Sequence, residues 1–345
     1  MKSKYGLSAA VVIMVLAAFS FVGHAAEPKL KPKTLKVSHY VPPQHYGAKI
    51  LFPFLKEGIE KATDGIIKVQ IYPAQALAKA PEHFDALASG RVDIALVTPG
   101  FTPGYFPLTT IGELPFAWDH ALEGNLVMHD LLSKGLLDKK LYTDAKVIIW
   151  APTSNMVIWT KKPVSSVAEL KGLKLRVAGG SATKAVKAIG AAPIQMPLGD
   201  AYSALETGVI DGALFTVDAG VVWKIGEVCK FALDVGITRA MIGILMNKKV
   251  WDSLPRETQL KLEKVFRDTS VQFTSAEVRS NKMMGKRLAG MGVKMTDLPT
   301  SELAKLKELF QPVLDNWPIE MDKKGLPGTK LYKEYQETRR RFGFR

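Results

Sequence analysis

The sequence predicts an α/β protein of two related lobes that face each other across a cleft. Three observations predict it. The run His83 to Thr98 (HFDALASGRVDIALVT) is echoed by Ala201 to Thr216 (AYSALETGVIDGALFT), with Ala, Leu, Gly, Asp, Ala, Leu and Thr in step. Each copy reads as a helix ending at a glycine, a turn through an aspartate and a short apolar strand. Upstream of each copy lies a second matching strand, Leu35-Lys36-Val37 and Leu175-Arg176-Val177. Finally, no proline interrupts Arg256 to about Leu288, a helical stretch long enough to lie along both lobes. Open parallel sheets bind ligands outside the carboxyl ends of their strands, so two such lobes placed face to face form a cleft suited to a small solute.

The elements follow in order. Leu35 to His39 is a strand, Ala48 to Ala62 has apolar residues at helical spacing, and Ile66 to Tyr72 alternates as a strand. Pro81 to Ser89 is helical and Val92 to Thr98 is a strand. Pro99, Pro103, Pro107 and Pro115 punctuate a crossover loop, after which His120 to Leu136 is helical. Two apolar strands, Lys146 to Trp150 and Asn155 to Lys161, carry the chain into the second lobe. There the order repeats: strand Leu175 to Val177, helix Ala182 to Ile189, strand Pro193 to Met196, helix Leu198 to Glu206 and strand Ile210 to Phe215. Met241 to Asn247 is another strand, and Leu254-Pro255 opens the long helix. The tail from Ser301 to Arg345 is amphipathic and helical, with interruptions expected at Pro312, Pro318 and Pro327.

The amino terminus decides the compartment. Lys2 and Lys4 precede an uncharged, mostly apolar run from Tyr5 to Val22, then Gly23-His24-Ala25-Ala26 before Glu27. This reads as a secretory signal peptide over residues 1–26, too short for a membrane anchor and ending in small residues suited to a peptidase. No later segment approaches the length of a span, so a soluble periplasmic protein is expected, touching the membrane only through a partner. The remainder, roughly 320 residues, suffices for two domains with sizeable cores. The formal charge of +14 includes Lys2 and Lys4. Export argues against a nucleic-acid partner, and no aromatic and basic stripe tracks a strand; a solvated basic surface that favours anions fits better.

Chemistry that would make an enzyme is scarce. Of the six histidines, none is paired at zinc spacing, and no Gly-x-Ser-x-Gly or phosphate loop occurs. Neither a metal nor another cofactor is expected. Gly179-Gly180-Ser181 resembles a phosphate cradle, but Ser181 reads better as a helix N-cap. Cys229 is the single cysteine and fits a buried structural thiol within a helical stretch from Lys224 to Phe231. His39, at the carboxyl end of the first strand, is the one candidate base.

Leu170 to Val177 (LKGLKLRV) followed by Tyr202 to Gly212 (YSALETGVIDG) resembles the signature of the DctP-type solute-binding proteins of tripartite ATP-independent periplasmic (TRAP) transporters. Similar runs stand at Ala62 to Gly65, Ala86 to Asp93, Glu113 to Phe116 and Val250 to Pro255, so the resemblance covers most of the exported chain. It implies a two-lobed, type II-like periplasmic binding protein with hinge strands and a long helix spanning both lobes. Residues 27–152 plus about 241–281 would form lobe I, and 153–240 plus about 282–345 lobe II. It also implies an organic acid as ligand, a TRAP membrane permease as partner, and Arg176, the arginine of the Lys-Gly-Leu-Lys-x-Arg run, as the carboxylate anchor. A guanidinium fork matches a carboxylate, and Arg176 stands near a strand end that faces the cleft.

Departures from the family narrow the ligand. Relatives often place a second basic or polar residue on the strand here spanning Asn155 to Lys161, at the position of Met156. Where sialic-acid-binding relatives carry Gln-Glu-Asn-Pro after Asp-Gly, and some keto-acid-binding ones Glu-Trp, this chain has Ala213-Leu214-Phe215. Leu214 cannot ligate a cation, and Phe215 offers a ring. These residues point to a monocarboxylate with an apolar or aromatic body, walled by Tyr40, Phe101, Trp150, Met156 and Phe215, with His39, Thr98 and Thr216 as further contacts. The rival readings are a periplasmic enzyme acting on a small acid in the same cleft, with His39 as base, and a scaffold that adheres through its basic surface.

Overall fold

The computed structural model describes residues 29–102 and 104–344; the signal peptide read at residues 1–26 lies outside them. Strand β1 (Lys33–Ser38) buries Leu35 and Val37 and pairs in parallel with β2 (Ile67–Tyr72) and β3 (Ile94–Val97). Helix α1 (Phe52–Ala62) covers one face with Phe52, Leu55 and Ile59, an i, i+3, i+7 row. Helix α2 (His83–Ala88) leads into β3, and α3 (Ala121–Ser133) follows the proline-rich crossover.

The chain then crosses between lobes. A single strand, β4 (Ala145–Thr160), runs for 16 residues where two strands were expected, and its register shifts between Pro152 and Asn155. Its first half pairs with β9 (Arg239–Asn247), which adjoins β3; its second half pairs with β7 (Gly212–Thr216). The second lobe is completed by β5 (Lys174–Val177), helix α4 (Gly180–Ala188), β6 (Ala192–Gln195) and helix α5 (Ala201–Glu206), with β5 parallel to both β6 and β7. The strand order is thus β2-β1-β3-β9-β4 continuing through β4-β7-β5-β6. At its edge β8 (Phe231–Leu233) pairs with β4 and with β10 (Lys294–Thr296).

The sequence echo has a physical cause. Gly90 and Gly208 end their helices at φ 79° and 77°, a left-handed conformation that glycine adopts without a Cβ clash. Three residues on, Asp93 accepts a hydrogen bond from the Lys36 amide at 2.8 Å, and Asp211 accepts one from the Lys174 amide at 2.8 Å. In both lobes, then, the same aspartate pins a backbone amide of the neighbouring parallel strand.

Helix α6 (Arg256–Gly290) has 35 residues, about 52 Å at 1.5 Å per residue. Leu262, Phe266 and Phe273 pack into the first lobe's core, and Leu288 into the second's, so the helix lies along both. Helix α7 (Thr300–Lys323) passes through Pro312 and Pro318 without breaking, contrary to expectation. An interior proline costs roughly 3 kcal/mol; burial of Leu306, Phe310, Trp317 and Met321 on the flanking turns offsets it. Leu306 and Phe310 pack on the second lobe, while Trp317, Met321 and helix α8 (Gly328–Arg341) pack on the first. Arg339 of α8 donates to the buried Glu123 of α3 at 2.6 Å. Cys229 is buried, but it follows a helix of only four residues, Ile225–Val228, rather than sitting within one.

Candidate functional site

The carboxyl ends of β1, β3, β5 and β7 converge on a cavity of about 110 Å³ between the lobes. An apolar cavity of about 150 Å³ holds a benzene ring, so this space is on the scale of one small solute. Tyr40, Thr98, Phe101, Met156, Arg176, Phe215 and Thr216 line it, bringing together seven of the residues singled out from sequence. His39 and Trp150 do not line it. The His39 ring stacks on Phe52 at 4.3 Å, and burial pushes its pKa down to about 4, so it stays neutral in the core. The Trp150 indole donates to Thr109 Oγ1 at 3.2 Å and packs on Phe106, within the first lobe. Trp150 belongs to the core cluster on the far face of the sheet, whereas His39 lies behind Phe52, whose own ring lines the cavity and screens it.

Arg176 is the charged centre. It is 1% exposed, and its Nε and Nη2 donate to the Met196 carbonyl at 3.2 and 3.1 Å. The guanidinium carbon lies 4.7 Å from the centre of the Phe215 ring. Among the described residues no carboxylate pairs with it, and burial alone pulls its pKa down to about 10. A buried cation without a counter-ion is costly, and an entering anion relieves that cost. Met156, 7% exposed and paired with Thr216 in register, adds apolar wall where a second cation would have stood.

Aromatic rings contribute to the remaining wall. Tyr40 donates to or accepts from Thr98 Oγ1 at 2.5 Å and meets Phe101 edge-on at 5.7 Å; Trp223 packs on Phe215 at 5.3 Å. Tyr40, Phe101 and Trp223 also border a wider space of about 670 Å³ that leads from the cavity past Gln75, Lys79 and Gln195.

Sequence reasoning missed a second polar group in the cavity wall, contributed by both lobes. Gly47 donates its amide to His45 Nδ1 at 2.9 Å, which leaves the proton on Nε2, 3.3 Å from Asp218 Oδ2. Asp218 also accepts from Thr216 Oγ1 at 2.5 Å. Burial opposes the Asp218 charge, but His45 and Thr216 outweigh it and hold the pKa below the usual value. Glu277, from the middle of α6, accepts the Ser154 amide at 2.6 Å with Oε1, while Oε2 has no partner; burial raises its pKa to about 8. The signal for His45 and Asp218 was their place just beyond β1 and β7, the same strand-end rule that marked Tyr40 and Thr216. Nothing in the polar helix sequence marks Glu277.

The Gly179-Gly180-Ser181 turn holds an internal carboxylate instead of a phosphate. Gly179, not Ser181 as expected, occupies the N-cap at φ 127°, and Ser181, the second residue of the helix, bonds to the buried Glu113 of the first lobe. Among the described residues, no group of three or more His, Cys, Asp or Glu side chains is placed to hold a metal ion. No helix among them is long and apolar enough to cross a membrane.

Residues 37–320 match the family model described as bacterial extracellular solute-binding protein, family 7, DctP. The C4-dicarboxylate-binding periplasmic protein DctP of Rhodobacter capsulatus is 27% identical over 297 residues, covering 83% of this chain and 86% of its own. A marine metagenome TRAP solute-binding protein specific for aromatic acid ligands, solved with 3-hydroxybenzoate, superposes with a TM-score of 0.81 at 26% identity over 88% of this chain and 97% of its own. A TRAP solute-binding protein from Rhodoferax ferrireducens, solved with benzoate, gives a TM-score of 0.80 at 23% identity over 88% and 97%, a likeness of fold. Matched lobes, a shared strand, a spanning helix and a buried unpaired arginine at the cleft all agree with that match, and the chain belongs to the DctP family of bacterial extracellular solute-binding proteins, the receptors of TRAP transporters.

Proposed function

We propose that this protein is a periplasmic receptor for a monocarboxylate with an apolar or aromatic body, which it delivers to a TRAP permease without chemical change. The observation that carries the reading is Arg176, sealed from water, lacking an acidic partner and stacked on Phe215. A carboxylate entering the cavity supplies the missing charge through the guanidinium's remaining donors. Phe215, Met156, Phe101 and Tyr40 then enclose the body, with Thr98 and Thr216 as polar neighbours. One buried cation suits one carboxylate, and Asp218 in the same wall repels a second. The aromatic-acid-specific relative supports this choice, and the dicarboxylate-binding relative is the competing precedent.

The lobes divide at the two crossings near Pro152 and Ala240, with 27–152 plus about 241–281 as lobe I and 153–240 plus about 282–345 as lobe II, except that Trp317, Met321 and α8 of that tail pack on lobe I. These crossings and α6 are the places where a hinge motion would act. A catalytic role for His39 has no support, since its ring is stacked in the core. Native mass spectrometry of the exported chain, incubated with a panel of organic acids, tests the reading: one bound monocarboxylate, released unchanged on denaturation, is expected. A chemically altered acid, or no adduct with any monocarboxylate, would overturn it.

A further inference from the structure

We infer that the cavity selects a monocarboxylate carrying a hydroxyl group on its body, read by Asp218 and Glu277 at a pole separate from Arg176. This rests on the monocarboxylate reading above. Two observations separate the poles. Asp218, Glu277 and Arg176 all line one cavity. Yet Arg176 spends its hydrogen bonds on the Met196 carbonyl, whereas Asp218 is held by His45 and Thr216 and Glu277 by the Ser154 amide. Among the described residues neither acid forms an ion pair with the guanidinium, so both remain for a second part of the ligand.

The second pole is unfinished as it stands. Glu277 is 4% exposed, its Oε1 is taken by the Ser154 amide, and its Oε2 meets no partner. A buried polar atom left unpaired is costly, and a ligand group relieves that cost when it makes the missing bond. Burial keeps the proton on Glu277 at neutral pH, so this carboxyl offers a donor; Asp218 beside it remains ionised and offers an acceptor. A hydroxyl is the group that satisfies both, accepting from one and donating to the other. A carboxylate or a keto oxygen satisfies only Glu277 and meets the Asp218 charge, while a bare ring edge satisfies neither. The groups facing Glu277 are Asp218 beyond β7, Arg239 of β9 and Ser154 of β4, with Tyr46 also within range.

Calorimetric titration at pH 7 with benzoate, the three monohydroxybenzoates and phthalate tests this, using wild type, Glu277→Gln, Glu277→Leu and Arg176→Ala. Wild type is expected to bind one hydroxybenzoate isomer at least tenfold more tightly than benzoate. Glu277→Gln, which keeps a donor, retains the preference; Glu277→Leu, which fills similar space without one, abolishes it while still binding benzoate. Benzoate binding that depends on Arg176 with no isomer preferred, or a preference that survives in Glu277→Leu, overturns the hydroxyl pole and leaves the monocarboxylate reading intact. Failure of all four monobasic acids, with phthalate binding, overturns both.

Discussion

The Arg176 guanidinium sits 4.7 Å from the Phe215 ring centre, and its only hydrogen-bond acceptor among the described residues is the Met196 carbonyl. An aromatic face stabilises a desolvated cation by about 2 kcal/mol, less than the cost of burying it. The site thus holds its cation at a net cost until an anion arrives. Arg176→Met is expected to leave the ligand-free protein as stable as wild type or more so, while eliminating any ligand-induced rise in melting temperature. A large loss of ligand-free stability in this variant would show that the guanidinium serves the fold.

Trp150 and His39 belong to the core, and their variants should separate from those at the site. Trp150→Ala removes a fully buried indole and should cost about 3–5 kcal/mol in denaturant unfolding. His39→Leu replaces a buried, neutral ring stacked on Phe52 and should change ligand affinity less than threefold. A tenfold loss of affinity in His39→Leu would return that residue to the site.

These two residues also mark where the sequence stopped being legible. Strand ends could be read from the repeat, and Arg176, Phe215, Met156, Tyr40, Phe101, Thr98 and Thr216 all reach the cavity. Which face of a strand a side chain takes depends on register, and a shift of one residue turns it to the other face. Trp150 fell on the wrong side of that parity, while His39 is screened from the cavity by the Phe52 ring. Glu277 was invisible for a different reason: α6 meets both lobes, so no single apolar stripe identifies which of its polar residues is buried. The prolines of α7 misled because propensity is a weak term beside the burial of Trp317 and Phe310.

The buried acids set a pH dependence. Glu277 is raised to about 8 in the folded protein from its usual value of 4.5, and Glu113 to about 7. Each acid therefore binds its proton more tightly in the folded than in the unfolded protein, and its contribution to stability falls as pH rises from 4.5 toward its folded pKa, by up to about 1.4 kcal/mol per pH unit, while the buried neutral His39 contributes the opposite slope below about pH 6.5. Thermal unfolding between pH 6 and 8 should show a falling melting temperature in wild type and a shallower fall in Glu277→Gln, with Glu113 supplying the remainder. Parallel slopes for the two proteins would contradict the assignment.

Burial pushes the Cys229 thiol up to about 12, so it is neither ionised nor reachable in the native state. Ellman's reagent should leave the folded protein unmodified at pH 8 and titrate one thiol after denaturation. Rapid modification of native protein would show that the segment around Cys229 opens.

The central claim is that one buried arginine anchors one carboxylate of an apolar acid. Thermal unfolding of the exported chain and of Arg176→Ala, with benzoate, phenylacetate, succinate and malate, tests it most directly. A ligand at a hundredfold over its dissociation constant adds about 2.7 kcal/mol, a shift of several degrees. The account predicts that an aromatic monocarboxylate shifts wild type and leaves Arg176→Ala unmoved. A larger shift with succinate or malate, or an equal shift in both proteins, would contradict it.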